Sequence, residues 1–153
     1  MTTGEPEEVV KENALRKARA VARELANQLV LGADTEVAID GRVYGKADTV
    51  EDARSHLELL SGRVHHVWSG IALVRAGAAH EQVGTERTAV RFRDLDEHTI
   101  AWYLESDEWR GRAGSYAIQG RGAALVERIE GDYWNVVGLP VALLLDMAPS
   151  LLP

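Results

Sequence analysis

A chain of 153 residues, 46% hydrophobic and 27% charged, has the size and composition of an ordinary globular protein and can bury a core without covalent staples. The lack of cysteine excludes disulfides, thiolate metal sites and cysteine nucleophiles, and a net charge of −7 argues against electrostatic attachment to long nucleic acid or anionic lipid. The acidic, polar start MTTGEPEEVVKEN does not resemble a signal peptide and no apolar run approaches membrane-spanning length, so a cytoplasmic protein with no membrane partner is expected.

The first predicted element is a helix. Pro6 suits a first turn, where its missing N–H costs nothing, and Glu5, Glu7 and Glu8 complement the positive end of the dipole. Val10, Ala14, Ala18, Val21, Ala22 and Leu25 recur at helical spacing as one apolar face, with Lys17 on its edge, and the helix should fade near Asn27. Leu29 to Leu31 reads as a buried strand that runs into Gly32-Ala33 and stops at Asp34. Val37 to Ile39 and Arg42 to Tyr44 flank Asp40-Gly41, a hairpin signal because both positions tolerate positive φ. That hairpin would carry Asp34 and Lys46 toward each other at the mouth of an apolar scaffold; read alone, the pair is equally well a strand end and a solvated loop charge.

Thr49 with Asp52 resembles a capping box and opens an amphipathic helix through Val50, Ala53, Leu57 and Leu60, closed by Gly62. Val64 to Val74 reads as a strand. Its neighbours His65 and His66 point to opposite faces and are poorly placed to chelate one metal ion. A loop from Ala76 to His80 leads to a long alternating strand, Glu81 to Arg93, whose arginines read as a solvated sheet face paired with Glu81 and Glu86. Asp96 caps a short helix through Leu104. Glycines then crowd the stretch from Gly111 to Gly138, around the strand-like run Ala123 to Ile129. GRAGSYAIQGRG lacks both the phosphate-loop and the dinucleotide fingerprints. Asn135 to Pro140 opens a last apolar helix, with Pro149 beyond its end. No repeat or low-complexity linker divides residues 1–153, so a single α/β domain is expected.

In this order, GADT (Gly32 to Thr35), Gly45-Lys46, LSGR (Leu60 to Arg63), SG-ALV (Ser69 to Val74), AGSYAIQG (Ala113 to Gly120) and NVVGLP (Asn135 to Pro140) resemble the Maf family, as does the helix carrying Ala14 and Lys17-Ala18. The resemblance covers nearly the whole chain. It implies a mixed α/β architecture, a twisted sheet with flanking helices and a cleft between lobes, and a nucleoside triphosphate pyrophosphatase that releases a nucleoside monophosphate and pyrophosphate. Dimers are common in the family, which makes a homodimer a candidate state. Carried over residue by residue, Asp34 matches the proton acceptor, Lys17 and Lys46 match lysines on the triphosphate, and Thr35 and Gln119 match positions that select the base. DT combined with IQG looks like the subgroup that acts on dTTP and UTP, and the implied cofactor is Mg²⁺ or Mn²⁺, suited to hard oxygen ligands and phosphate. The family also begins with a strand, a Ser-x-Ser-Pro-Arg-Arg loop that grips phosphate, and a further acidic residue. No SPRR occurs in this sequence, so the resemblance implies a shortened N-terminus, and Arg112 and Arg121 beside the IQG segment are the candidates to replace the missing grip. A catalytically weak nucleotide-binding protein and a regulatory protein of cell division are the alternatives.

Overall fold

In the computed structural model, which describes residues 4–77 and 80–153, five strands form one sheet in the order β2-β1-β3-β4-β5, with every pairing antiparallel. The strands are β1 (Leu29–Ile39), β2 (Arg42–Tyr44), β3 (Val64–Arg75), β4 (Glu81–Phe92) and β5 (Val126–Glu130). The helices are α1 (Pro6–Ala22), α2 (Val50–Leu60), α3 (Glu97–Leu104), α4 (Tyr133–Val137) and α5 (Val141–Met147). The α/β architecture expected from the sequence is what the chain adopts. Ala78 and Ala79, within the expected loop from Ala76 to His80, lie outside the described residues. Among the described residues no helix is long and apolar enough to cross a membrane.

The local signals act as the chemistry dictates. Thr49 accepts from the Asp52 amide while the Asp52 carboxylate accepts from the Thr49 amide, a complete capping box on α2. Asp96 Oδ1 accepts from the Thr99 amide at 2.8 Å and starts α3. Asp40 and Gly41, with φ of 53° and 70°, make the two-residue turn that pairs β1 with β2. Three expectations need correction. β1 does not stop at Asp34; it runs unbroken from Leu29 to Ile39, because β3 pairs with it from Leu29 to Ala38 and satisfies its backbone whatever the side chain. α1 ends at Ala22, short of Leu25 and Asn27, and Val21 in its last turn is 49% exposed rather than on the buried face of Val10, Ala14, Ala18 and Ala22. The C-terminal helix is two helices, because Asn135 to Val137 belong to α4 and the chain turns at Gly138 before α5 begins after Pro140.

The two faces of the sheet are covered differently. On β3, Gly70, Ala72 and Val74 turn toward α1, while Val67, Ile71 and Leu73 turn the other way. α1 lies against its face more closely than ordinary side chains permit. A Cβ at Gly32 would sit 2.2 Å from the Ala14 carbonyl oxygen, and one at Gly70 would sit 2.3 Å from that of Val10. The helix offers Ala14 and Ala18 to this contact, both fully buried. On the opposite face α2 and α3 enclose Leu57, Leu60, Phe92, Tyr103, Trp109 and Leu125 over one end of the sheet, and α5 brings Leu144 onto Ile71 and Leu73 at the other. Each large side chain buried in this way contributes about 1.5–3 kcal/mol relative to exposure.

Candidate active site

β2 pairs with β1 only from Val37 to Ile39. From Leu29 to Glu36, β1 therefore has β3 on one side and, among the described residues, no strand on the other. A cleft of about 440 Å³ straddles this open edge, a volume in the range of small-molecule sites. Because strand residues alternate, Asp34 and Glu36 meet the cleft on the α1 side, and Thr35 and Val37 meet it on the other.

The α1 side is built by helical spacing. Asn13 and Lys17 are four residues apart and project together toward β1. Lys17 Nζ donates to Asp34 Oδ1 at 2.5 Å and to the Ala33 carbonyl oxygen at 3.0 Å, and Asn13 Nδ2 donates to Asp34 Oδ2 at 2.9 Å. Both carboxylate oxygens are thus held in place, each retaining acceptor capacity for one further partner. The close approach of α1 at Gly32 brings these donors within reach, since Gly32 lies two residues before Asp34 on the same face. Glu36, next along that face, has a buried oxygen, Oε2, with no hydrogen-bond partner among the described residues. Burial, reinforced by the charge of Asp34, pushes the Glu36 carboxyl up to about 7, although Lys17 and Lys46 oppose the shift.

The opposite wall is tied to the end of β2. Lys46 forms an isolated antiparallel bridge with Ala113, and the Gly114 amide donates to the carbonyls of Tyr44 and Gly45, both at 3.1 Å. This brings Lys46, Arg112, Tyr116, Ala117 and Gln119 to the cleft. Deeper in the protein the same segment is fastened by hydrogen bonds. Tyr116 Oη lies 2.8 Å from His65 Nε2, Ser115 Oγ lies 2.8 Å from His56 Nδ1, and the Ala117 amide donates to Tyr103 Oη at 3.0 Å. Burial drives His65 down to about 3 and raises the Tyr116 hydroxyl well above the ordinary phenol range, so their bond is one between neutral groups.

Thr35 anchors the third wall. Its hydroxyl lies 2.8 Å from Ser69 Oγ and 3.3 Å from the Gly138 carbonyl oxygen. Asn135, fully buried, donates through Nδ2 to the Val67 carbonyl at 3.1 Å and to Thr88 Oγ1 at 3.0 Å. These bonds seat Val136, Val137 and Gly138 beside Thr35 in the cleft lining.

The structure therefore gathers all five residues singled out from the sequence, Lys17, Asp34, Thr35, Lys46 and Gln119, in one cleft. It separates the two arginines offered as replacements for a phosphate grip. Arg112 lines the cleft, but Arg121 places its guanidinium 5.5 Å from the centroid of the Trp102 ring, outside the lining. The paired histidines point to opposite faces as expected, but His65 is fully buried against Tyr116 rather than at the surface or half-buried, while His66 is half-buried on the other face. The arginines of β4 find partners other than those expected: Glu81 pairs with Arg19, Arg91 with Glu127, and Arg87 stacks on Trp68. Sequence reasoning missed Asn13 and Glu36. Their signals were present, four residues before Lys17 and two residues after Asp34, each on the face of its element that carries the known charge.

The family model described as "Maf-like protein" matches residues 2–151. A protein of Dictyoglomus thermophilum named dTTP/UTP pyrophosphatase is 46% identical over 136 residues, which cover 89% of this chain and 70% of the relative. Proteins of the same name from Symbiobacterium thermophilum and Pyrococcus abyssi are 51% and 44% identical, covering 89% and 93% of this chain and 69% and 75% of those relatives. With a match that spans almost every residue, and with the GADT, GK and AGSYAIQG segments meeting at one cleft, the chain belongs to the Maf-like protein family.

Proposed function

We propose that this cleft hydrolyses dTTP, UTP or closely related pyrimidine nucleoside triphosphates to the monophosphate and pyrophosphate. The observation that carries the reading is the convergence of Lys17, Lys46 and Arg112 with an oriented carboxylate, Asp34, in the cleft that Gln119 also lines. The relatives' shared name supplies the substrate class.

In this reading Asp34 is the proton acceptor. Asn13 and Lys17 fix its two oxygens, so the remaining lone pairs face the cleft in a constant orientation and accept a proton from the attacking water. The water oxygen bonds to the α-phosphorus as the α–β anhydride bond breaks, and the electron pair of that bond leaves with pyrophosphate. Lys46 and Arg112, whose side chains make no hydrogen bond among the described residues, offset charge building on the phosphate oxygens. Lys17 has one N–H left after its two bonds to β1 and serves the phosphates through that one. The Gln119 amide, also without a hydrogen bond among the described residues, presents a donor and an acceptor to the edge of a pyrimidine. Thr35 acts by holding Gly138 in place and so shapes the base site.

A divalent cation, Mg²⁺ or Mn²⁺, fits the donor set. No group of three metal-ligating side chains exists among the described residues, and these ions are commonly held by one or two carboxylates together with substrate phosphates. Asp34, with acceptor capacity left on both oxygens, is the carboxylate that the motif supplies for the cation. Bound there, the ion supplies charge neutralisation at the phosphates and activation of water. A triphosphate substrate is consistent with a cytoplasmic setting, and a homodimer remains part of the proposal. Chromatography of products from dTTP and UTP with Mg²⁺ tests it. Equal amounts of monophosphate and pyrophosphate are expected; diphosphate and orthophosphate, or no turnover, would overturn it.

A further inference from the structure

We infer that Glu36 is a second carboxylate ligand, beside Asp34, for the divalent cation that accompanies the triphosphate. The inference rests on the proposed function and adds to it a residue that no motif singles out.

Glu36 sits in an awkward place for a bystander. Its carboxylate faces Gly45 with room for a methyl group between them, since a Cβ built there would meet Oε2 at an ordinary contact distance of 3.4 Å. That same oxygen is buried and has no hydrogen-bond partner among the described residues, an arrangement that costs free energy unless something occupies the site during function. The cations nearby do not resolve it. Lys17 commits two of its three N–H groups to Asp34 and Ala33, and no side-chain hydrogen bond links either Lys17 or Lys46 to Glu36. Among the described residues this carboxylate, partly buried, lining the cleft and next to a second carboxylate, forms no ion pair, and Lys17 and Lys46 act on it only at longer range.

The spacing suits an ion. Residues two apart on a strand have Cα atoms about 7 Å apart and share a face. Oxygen ligands to Mg²⁺ lie about 2.1 Å from the ion, so an aspartate and a longer glutamate at this spacing converge on one point between them. Lys17 and Lys46, lining the same cleft, repel a bare dication there. The triphosphate reverses that balance by bringing its own negative charge. The site therefore fills when nucleotide is present and stays weak without it.

Manganese binding followed by the electron paramagnetic resonance signal of free Mn²⁺ tests this without turnover. The full chain and Glu36→Gln are titrated with and without a dTTP analogue whose α–β bridging oxygen is a methylene. Binding of the analogue in EDTA is measured in parallel by calorimetry. The expected result is that Glu36→Gln weakens Mn²⁺ in the ternary complex by about 10-fold or more, since loss of even an outer-shell partner costs that much. Analogue binding in EDTA should stay within about 2-fold of the parent, a far smaller change than loss of a direct ligand. Glu36→Asp, which keeps the charge on a shorter arm, should retain part of the ternary affinity and guards against a folding artefact in the amide variant. Equal Mn²⁺ affinity in parent and Glu36→Gln would overturn the inference while leaving the proposed function standing. A parent chain that binds no analogue under any condition would overturn both.

Discussion

Asp34 illustrates how one side chain acquires a function from its neighbours. A carboxylate on an open strand edge is unremarkable until Asn13 and Lys17 take one oxygen each, after which its remaining lone pairs point in fixed directions. Replacing it with Asn13 and Lys17 intact separates the base from the scaffold. Arg112 offers a second test at this scale. Arg112→Ala should weaken nucleotide binding about 10-fold, the lower end for a charge-assisted hydrogen bond at an exposed position, whereas Arg121→Ala should leave it unchanged; titration with the methylene analogue measures both. His65 and Glu36 make the apo protein's stability depend on pH in opposite senses. The folded state resists protonating His65, held at about 3, while the unfolded chain takes that proton near 6.5. Stability from this group therefore falls as pH drops below about 6.5. Glu36 retains its proton up to about 7 when folded and releases it near 4.3 when unfolded, so its contribution falls as pH rises through that window. Urea unfolding at pH 5 and at pH 7.5 should show the stability of Glu36→Gln, relative to the parent, rising with pH.

At the scale of elements, the fit of α1 on β1 and β3 decides whether the site exists. The helix approaches so closely because alanines meet glycines, and this contact sets the reach of Asn13 and Lys17 to Asp34. Gly32→Ala and Gly70→Ala would each drive a Cβ into helix backbone at 2.2 and 2.3 Å. Backbone cannot rotate away as a flexible side chain can. Each substitution should cost about 1–3 kcal/mol by urea denaturation, and Gly32→Ala should also lower kcat, because displacing α1 pulls Lys17 off Asp34. Local sequence signals predicted several elements well: the capping box of α2, the Asp96 cap of α3 and the Asp40-Gly41 turn each satisfy backbone groups within a few residues. Where partners lay far along the chain, local reading failed. The continuity of β1 through Asp34 comes from β3, more than thirty residues away in the register of Asp34 with Gly70. The division between α4 and α5, by contrast, falls at a local signal, Gly138 with a φ of 130° just ahead of Pro140.

For the whole molecule, the cleft is the place where segments from across the chain meet at an unpaired strand edge. The family resemblance identified five of its residues because their motifs are compact. Asn13 and Glu36 escaped because a lone amide on a helix and a second acid on a strand have many ordinary uses, and only burial and bonding distinguish them. Arg112 and Arg121 looked equivalent beside Gln119 in sequence; the turn through Gly120 and the Trp102 ring set them apart. The central claim is that an oriented Asp34 activates water for attack on a bound triphosphate. Its most direct measurement is steady-state pyrophosphate release from dTTP and UTP with Mg²⁺, comparing the parent with Asp34→Asn, alongside binding of the methylene analogue to both. The account predicts turnover by the parent, a fall in kcat of about 10²–10⁴-fold in the variant, and analogue binding by both; equal turnover by the two proteins would contradict it.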